Sequence, residues 1–540
     1  MRHAIRRVTW ITLAVLLPAL LIIATPTLAK KSDSGDSKLS DAAREAAERG
    51  GTEMVDVIVQ YDVPPGHSEK SHEASLKAKQ KHEYKHFKMK ALSVPANALY
   101  GLAKGKRVRY VSIDSAIETS SLAAKQTANL PGSTGGGILM PSNQFAVAVL
   151  DSGIDHDDVP VDYRINIIPP YYECDEWDDK ECEEWDELKD PWGHGTHVAG
   201  TINGRGGYSY GYLGVAPKAQ IIDVRVLDEV GRGNASDVIA GLDWVLQYSS
   251  YLNIKVVNMS LGKAVEDEAA NDPLVQAVET VWDAGIVVVC SAGNYGRAGN
   301  FTITSPGNSP KVITVGSLTD KGTGTDFTDD FVSTYSSQGP TLYDHYLKPD
   351  LIAPGNRVIA PMDDDAALWK ELPDRRRYCT SSCSDEEYFE LSGTSMAAAM
   401  VSGAVTLMLS EEPYLNPASV KARLMRSARK IPGYPTAVGT GVLDIEAALA
   451  DNGETKVALS PTLHRHDEGE VFILEDTADL WGDDQWGAGF LWSDGFLWSD
   501  GFLWSDGFMW SDGFLWSDSI QDDNPLLGID AASVVLSDDN

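Results

Sequence analysis

The sequence predicts an α/β fold in which a mostly parallel central sheet is flanked by helices. Short Val- and Ile-rich segments alternate with helical segments through the middle of the chain, which is typical of a parallel sheet covered on both faces. Two polar residues, Asp151 and Asn258, stand at the carboxyl ends of such segments, where sites gather in these sheets. The strand segments are 145–150, 220–226, 254–258, 286–289 and 312–315, and the clearest helical segments are 236–248 and 273–284.

The chain has 540 residues, enough for two or three domains, and its charge is unevenly distributed. The net charge is −34, yet residues 30–125 carry 17 Lys and Arg against 13 Asp and Glu. A basic N-terminal region therefore precedes a strongly acidic remainder, and we expect these two parts to attract each other in a salt-dependent way. Nucleic acid is not expected as a partner of so acidic a chain.

Residues 1–29 have the pattern of a secretory signal peptide. Arg2, Arg6 and Arg7 form a positive start, an apolar stretch runs from Trp10 to Ala24, and Thr27-Leu28-Ala29 fits a cleavage site for small residues. The apolar stretch is too short for a membrane span, and no later segment is long enough to be one. We therefore expect a secreted protein without a transmembrane segment.

Residues 30–125 predict a small α+β domain. Residues 55–61 alternate like a half-buried strand, residues 92–95 and 107–113 resemble further strands, and His67 to Lys90 is a helix candidate. His67, His72, His82 and His86 lie here, and either a pH-dependent contact or a solvated helix face explains them.

Three distant segments supply groups for nucleophilic catalysis. Asp151 ends a buried strand, His194 stands at the start of a predicted helix, and Ser395 stands at the start of another, where Thr394 and Ser395 are good N-cap residues. A serine hydroxyl is a weak nucleophile near neutral pH and needs a base within hydrogen-bond reach. A helix start also favours an oxygen that gains negative charge.

These segments, "VLDSGID", "HGTHVAGT" and "GTSMAA", resemble in order and content the signature blocks of the subtilisin-like serine proteases, the subtilase family. The resemblance covers about residues 145–450 and implies a subtilisin-like three-layer peptidase domain at 127–450. It implies that Asp151, His194 and Ser395 form a catalytic triad that hydrolyses peptide bonds through an acyl-enzyme on Ser395. It further implies that Asn294 forms the oxyanion hole with the Ser395 N–H, while His197 is structural.

The same resemblance implies where an extended peptide substrate binds. One rim of the cleft is Ser260-Leu261-Gly262 and the other is formed by Gly231 and Gly233, so that the substrate joins them as an added strand. Asp228 and Glu229 lie near the second rim, which predicts some preference for basic side chains. The motif around Ser395 departs from the family at Ala399, Met400 and Ser402.

The resemblance also implies that residues 30–125 are a ferredoxin-like propeptide that acts as intramolecular chaperone and inhibitor. Residues 119–137 are rich in Ser, Gly and Thr and predict a linker, in or just before which the zymogen is expected to cut itself. An independent N-terminal binding domain is the alternative. We expect a monomer.

The spacing of the five cysteines suggests two disulfides that each close a short loop, and one unpaired thiol. Cys174 with Cys182, and Cys379 with Cys383, are close pairs suited to disulfides in an exported protein, with free thiols or soft metal ligands as alternatives. Cys290 lies at a buried strand end. No cofactor is expected for the chemistry. Subtilases commonly carry structural calcium, but the residues here identify no ligands.

Residues 451–540 form an acidic tail of different composition. Residues 489–518 contain five copies of Gly-Phe-Leu/Met-Trp-Ser-Asp, joined at Asp-Gly, a strong hairpin signal. A β-like repeat that binds cell envelope or polysaccharide and a disordered tail that is removed on maturation are both consistent with this pattern.

Two other functions compete with the peptidase. A catalytically silent binding protein could keep the fold and use the tail, and a metal-dependent hydrolase could use His194 and His197. The second lacks the glutamate of the H-E-x-x-H zinc motif.

Overall fold

The computed structural model describes residues 36–119, 145–156, 158–168, 190–204, 213–321, 327–378, 387–465, 471–473 and 477–482. The hexapeptide repeats, the two cysteine pairs and the leader lie outside these residues. The described helices are, in chain order, α1 Asp41–Arg49, α2 His67–Ser75, α3 Leu99–Ala103, α4 His194–Asn203, α5 Ala235–Tyr248, α6 Pro273–Asp283, α7 Ala367–Glu371, α8 Thr394–Glu411, α9 Pro417–Ser427, α10 Pro435–Val438, α11 Ile445–Ala450 and α12 Thr477–Trp481.

The described strands are β1 Met54–Tyr61, β2 Lys79–Glu83, β3 Met89–Pro95, β4 Val108–Ile113, β5 Ala116–Thr119, β6 Ala146–Asp151, β7 Tyr163–Asn166, β8 Gln220–Arg225, β9 Arg232–Asn234, β10 Ile254–Met259, β11 Leu261–Gly262, β12 Val287–Ser291, β13 Ile313–Thr319, β14 Phe331–Val332, β15 Leu351–Pro354, β16 Val358–Pro361, β17 Arg376–Tyr378, β18 Glu387–Leu391, β19 Leu463–Arg465 and β20 Val471–Ile473.

The N-terminal unit is a four-stranded antiparallel sheet in the order β2-β3-β1-β4. With α2 between β1 and β2, and α3 between β3 and β4, this is the β-α-β-β-α-β arrangement of the ferredoxin-like fold, as predicted. Both faces of β1 are buried. Val57, Val59 and Tyr61 pack in the unit's own core, whereas Ile58 packs in the core of the main body. The second face of the N-terminal sheet therefore packs against the main body.

The predicted helix over His67 to Lys90 is wrong in its second half. The helix ends at Ser75, and residues 79–83 form β2, an edge strand paired with β3. All its residues are exposed or half-buried, so they do not alternate between apolar and polar, and no two-residue period identified the strand.

The main body is built on a sheet whose strand order is β14-β13-β12-β10-β6-β8-β7, with β15 also paired to β13. Every described pair in it is parallel except β13 with β14. Helices α4 and α8 pack against each other, as do α5 and α6, and these helices contact the sheet. This confirms the predicted α/β fold.

The central strand β6 is buried at every residue, because it pairs on both sides and is covered by helices. Its carboxyl end therefore holds Asp151 in a fixed and water-poor position. After Ala450 the chain continues to pack on the body. The Trp481 indole donates to the Leu459 carbonyl (2.8 Å) and lies in a small apolar cluster with Leu347 and Met425.

Candidate active site

Asp151 and His194 form a short, buried hydrogen bond. His194 Nδ1 lies 2.6 Å from Asp151 Oδ1, and the two side chains are 0% and 1% exposed. Since a carboxylate only accepts, the bond places a proton on Nδ1, and in the neutral form of the imidazole Nε2 is then the acceptor nitrogen. Among the described residues, Nε2 has no hydrogen-bond partner. It is therefore available to take a proton from a neighbouring group.

Two glycines allow His194 to come this close. Gly193 precedes α4 with a φ of +93°, a left-handed conformation that favours glycine. A Cβ on Gly195 would lie 2.0 Å from the Gly153 carbonyl oxygen, so any side chain would push the helix away from the end of β6.

Asp190 and Ser152 support this pair and were not identified from the sequence. Asp190 accepts hydrogen bonds from the Gly193 N–H (2.9 Å), from the Thr196 N–H (2.8 Å) and hydroxyl (2.6 Å), and from the Ser152 hydroxyl (2.8 Å). Burial raises the pKa of Asp190, although these bonds oppose the shift. An aspartate just before a helix start is the signal that could have identified it as a cap.

Ser395 lies in the first turn of α8 and is fully buried. Its hydroxyl donates to the Ser260 carbonyl (3.0 Å), and the Ser260 hydroxyl donates back to the Ser395 carbonyl (2.9 Å). The helices that carry His194 and Ser395 pack directly against each other. Ser395 is thus bonded to one rim of the predicted cleft, and its helix packs against the helix of His194.

The prediction that Thr394 or Ser395 caps α8 is wrong. The N-cap is Gly393, which has no side chain with which to cap the helix. Both Thr394 donors, the N–H and the hydroxyl, point instead to Asn294 Oδ1 at 3.0 Å each. The first-turn N–H groups of any helix lack an acceptor within the helix. Here Asn294, 100 positions away in sequence, accepts the Thr394 N–H.

This bonding fixes the orientation of Asn294. Its carbonyl oxygen serves Thr394, so Nδ2 is the donor side of the amide. Gly293, just before it, has a φ of +102° at the end of β12. Asn294 thereby lies beside the first turn of α8, where an amide donor and a helix N–H can serve one oxygen.

The two rims of the predicted cleft are strands of one small sheet in the order β11-β5-β9. Leu261 pairs with Thr119 and Gly262 with Glu118, while Gly233 pairs with Ile117 on the other side. The chain's own residues 116–119 therefore lie between the rims as an antiparallel strand. Gly231 does not pair with β5; it shapes the turn before β9, with a φ of +73°.

Three other residues named from the sequence, His197, Cys290 and Asp228, are buried or already hydrogen-bonded within the protein. His197 Nε2 lies 3.1–3.2 Å from the carbonyls of Phe389 and Val358, and burial, with the neighbouring His194, lowers its pKa to about 3. Burial raises the pKa of the free Cys290 thiol to about 12. The Asp228 carboxylate accepts the N–H groups of Val230 and Arg232, so the turn already uses it.

A metal finds little support in the described residues. Asp363, Asp364 and Asp365 bring carboxylate oxygens within 4.8 Å of one another, but two of them are exposed and none is buried. Such clusters are common on protein surfaces without an ion. The structural calcium that the family resemblance leaves possible therefore gains no ligand set among the described residues. None of the described helices meets the length and hydropathy of a membrane span.

Comparison with known proteins assigns this architecture to a family. The family model described as the subtilase family matches residues 142–446. Serine protease AprX of Bacillus subtilis is 40% identical over 264 residues, which are 48% of this chain and 58% of AprX. Subtilisin E of Bacillus subtilis is 33% identical over 305 residues, 56% of this chain and 65% of that protein. The chain thus spans about three fifths of these relatives.

A similar solved structure is fervidolysin from Fervidobacterium pennivorans, described as a keratinolytic enzyme related to subtilisin. The TM-score is 0.55 at 22% identity, and the match covers 75% of this chain and 62% of fervidolysin. At this identity the likeness concerns the fold alone.

Proposed function

Since the chain belongs to the subtilase family, we propose that it is a serine endopeptidase that hydrolyses peptide bonds through an acyl-enzyme on Ser395. The Ser395 hydroxyl attacks the substrate carbonyl, and His194 Nε2 takes the proton. Asp151 holds the imidazole and stabilises its cation. Asn294 Nδ2 and the Ser395 N–H stabilise the oxyanion. His194 then gives this proton to the leaving amine. In the second half of the reaction His194 takes a proton from water, which attacks the acyl carbonyl and releases the Ser395 hydroxyl.

One observation carries this proposal. A fully buried imidazole is bonded through Nδ1 to a carboxylate, its Nε2 has no partner among the described residues, and its helix packs against that of Ser395. A structural histidine such as His197 has its Nε2 bonded to carbonyls instead.

A covalent serine-directed phosphonate tests the proposal against its rivals. We expect one phosphonate per processed molecule, located on Ser395 by mass spectrometry, and complete loss of casein hydrolysis. A chelator is expected to lower thermal stability at most. Block by the chelator alone would favour a metal-dependent hydrolase. A correctly processed protein that cleaves nothing would favour a silent binding protein.

We further propose that the protein is secreted as a zymogen in which residues 30–125 inhibit the peptidase domain, residues 127–450. Strand β5 supports this, because it lies where an extended substrate is expected. A second contact supports it too: Asp243 accepts both the N–H and the imidazole of His86, and His82 lies 3.1 Å from Asp237. Self-cleavage after β5 would turn a bound segment into a dissociable inhibitor.

Other parts of the proposal rest on sequence alone. Residues 1–29 direct secretion, and the repeats at 489–518 are the proposed contact to cell envelope or polysaccharide. Protein substrates and a monomeric state are proposed. The chain's acidic charge supports a preference for basic residues in the substrate, although Asp228 itself is engaged in a turn.

We expect the cleaved N-terminal segment to stay bound at about pH 5 and to leave at about pH 8. Burial raises the pKa of Asp267 to about 6, although its bond from the Tyr110 hydroxyl (2.7 Å) opposes the shift. A raised pKa stabilises the docked state below the ordinary carboxyl pKa, and this contribution is lost as the pH rises through about 6.

Gel filtration of processed, phosphonate-blocked protein at the two pH values measures the retained fragment. Asp267→Asn keeps an acceptor for Tyr110 but does not titrate, so retention should depend less on pH. Equal retention of the unsubstituted fragment at both pH values would contradict the prediction. Added salt should promote release at either pH, because charged contacts cross the interface.

A further inference from the structure

Ser402 is one of the positions at which the motif around Ser395 departs from the family, and the proposed mechanism does not use it. It lies on α8 two helical turns after Ser395 and is fully buried. Its hydroxyl donates to Asn258 Oδ1 at 2.8 Å. Asn258, also fully buried, lies near the carboxyl end of β10.

From Asn258 the hydrogen bonds lead back to the nucleophile. Asn258 Nδ2 donates to the Ser260 hydroxyl oxygen at 2.9 Å, and that hydroxyl donates to the Ser395 carbonyl at 2.9 Å. The chain of bonds from Ser402 through Asn258 and Ser260 to Ser395 thus begins and ends on the same helix. It joins α8 at two points to the segment where β10 passes into β11.

The direction of these bonds matters for Ser395. Because the Ser260 hydroxyl has one proton, it donates either to the Ser395 carbonyl or to Asn258, depending on which end of the amide faces it. With Ser402 donating to Oδ1, Nδ2 faces Ser260, and Ser260 must donate to Ser395. The Ser395 hydroxyl in turn donates to the Ser260 carbonyl, so the two serines hold each other.

We propose that Ser402 is a positioning residue for the reaction, acting through Asn258 and Ser260 on the placement of Ser395. This inference rests on the proposed peptidase function. Without the Ser402 hydroxyl, Asn258 Oδ1 is left as an unpaired buried acceptor, and the amide is held at one end only, through Nδ2 and Ser260. Turning the amide over would give Oδ1 the Ser260 proton. Whenever the amide turns over, the Ser260 hydroxyl no longer donates to the Ser395 carbonyl, and Ser395 loses one of the bonds that fix it relative to the cleft.

The effect should be on the chemical step rather than on substrate binding. Ser402 and its partner Asn258 are fully buried, and the Ser402 hydroxyl does not contribute to the paired backbone of the rims. A displaced nucleophile lowers kcat, because the reacting atoms must be held in an attack geometry. Ser260 belongs to one rim, but the chain of bonds uses its hydroxyl, whereas an extended substrate is expected to pair with the backbone of the rims, so KM should change little.

Four variants of the processed enzyme test this with a fluorogenic peptide amide: Ser402→Ala, Ser260→Ala, the double variant, and Ser402→Thr. We expect Ser402→Ala to lower kcat about tenfold with KM changed less than about twofold. The double variant should be no slower than Ser260→Ala, since both changes break one chain of bonds. Ser402→Thr keeps the hydroxyl and should recover most of the lost kcat.

Thr406→Val is the matched control. Thr406 carries a buried hydroxyl one turn further along α8, and this hydroxyl donates to the backbone carbonyl of Ser402 rather than to any side chain of the chain of bonds. Its kcat should stay at the parent value. An unchanged kcat in Ser402→Ala, losses that multiply in the double variant, or an equal loss in Thr406→Val would each overturn the proposal. A parent enzyme without turnover would instead overturn the peptidase function on which it rests.

Discussion

Replacing Ser395 by alanine is expected to lower kcat about a millionfold, the scale for removing the nucleophile of such a triad. In the proposed mechanism this hydroxyl forms the acyl-enzyme, and alanine has no group that could replace it. Alanine is a good helix former and smaller than serine, so α8 should keep its place. Turnover of a peptide amide and the melting temperature, measured on the same preparation, separate loss of chemistry from loss of fold.

The Ser395→Ala protein should also keep its N-terminal segment uncut, because self-cleavage needs the same hydroxyl. Processing can be restored by an added protease before the assay. His194→Ala alone should cost a similar factor, and the double variant no more, since the two residues act as one unit.

Ser410→Ala is the control for this pair of variants. Ser410 lies near the end of the same helix and donates to the Thr406 carbonyl, so its removal should leave activity unchanged. Activity of Ser395→Ala above about one per cent of the parent would contradict the mechanism.

Replacing Asn294 by alanine is expected to lower kcat about a hundred- to a thousandfold while changing KM little. The donor is needed when the carbonyl oxygen becomes an oxyanion, so its loss affects the transition state more than the bound substrate. Steady-state kinetics with one peptide amide measure both constants.

Alanine also removes the acceptor that holds Thr394, so a second variant is needed to isolate the donor. Asn294→Asp keeps an oxygen for the Thr394 N–H and hydroxyl but replaces the donor by a negative charge. We expect its kcat to fall at least as far as that of Asn294→Ala, with a melting temperature closer to the parent's. An aspartate variant with near-normal kcat would show that Asn294 acts only by holding the start of α8.

The fold class and the positions of Asp151, His194 and Ser395 at element ends follow from local sequence. A buried parallel strand is a continuous apolar run, and a carboxylate or imidazole placed just after it or at a helix start is visible within a few residues. The contact between Asp151 and His194 was expected, and the structure shows it at 2.6 Å. The catalytic roles of these residues stay predictions that the variants above test.

The bonds that orient the site were decided by the tertiary structure. Thr394 donates to Asn294 instead of capping its own helix, and Asp190 gathers Ser152, Gly193 and Thr196. Several groups compete for each buried donor, and which acceptor wins depends on how helices and sheet pack. Sequence spacing does not contain that information.

The sequence by itself therefore determined which chemical groups stand at the ends of which elements, because hydrophobic periodicity and helix starts are local properties. Only the tertiary structure decided how these groups are aimed and that residues 116–119 lie between the two rims of the cleft. Hydrogen bonds between residues more than a hundred positions apart, such as Ser260 with Ser395, form only once the sheet and its helices have closed around them.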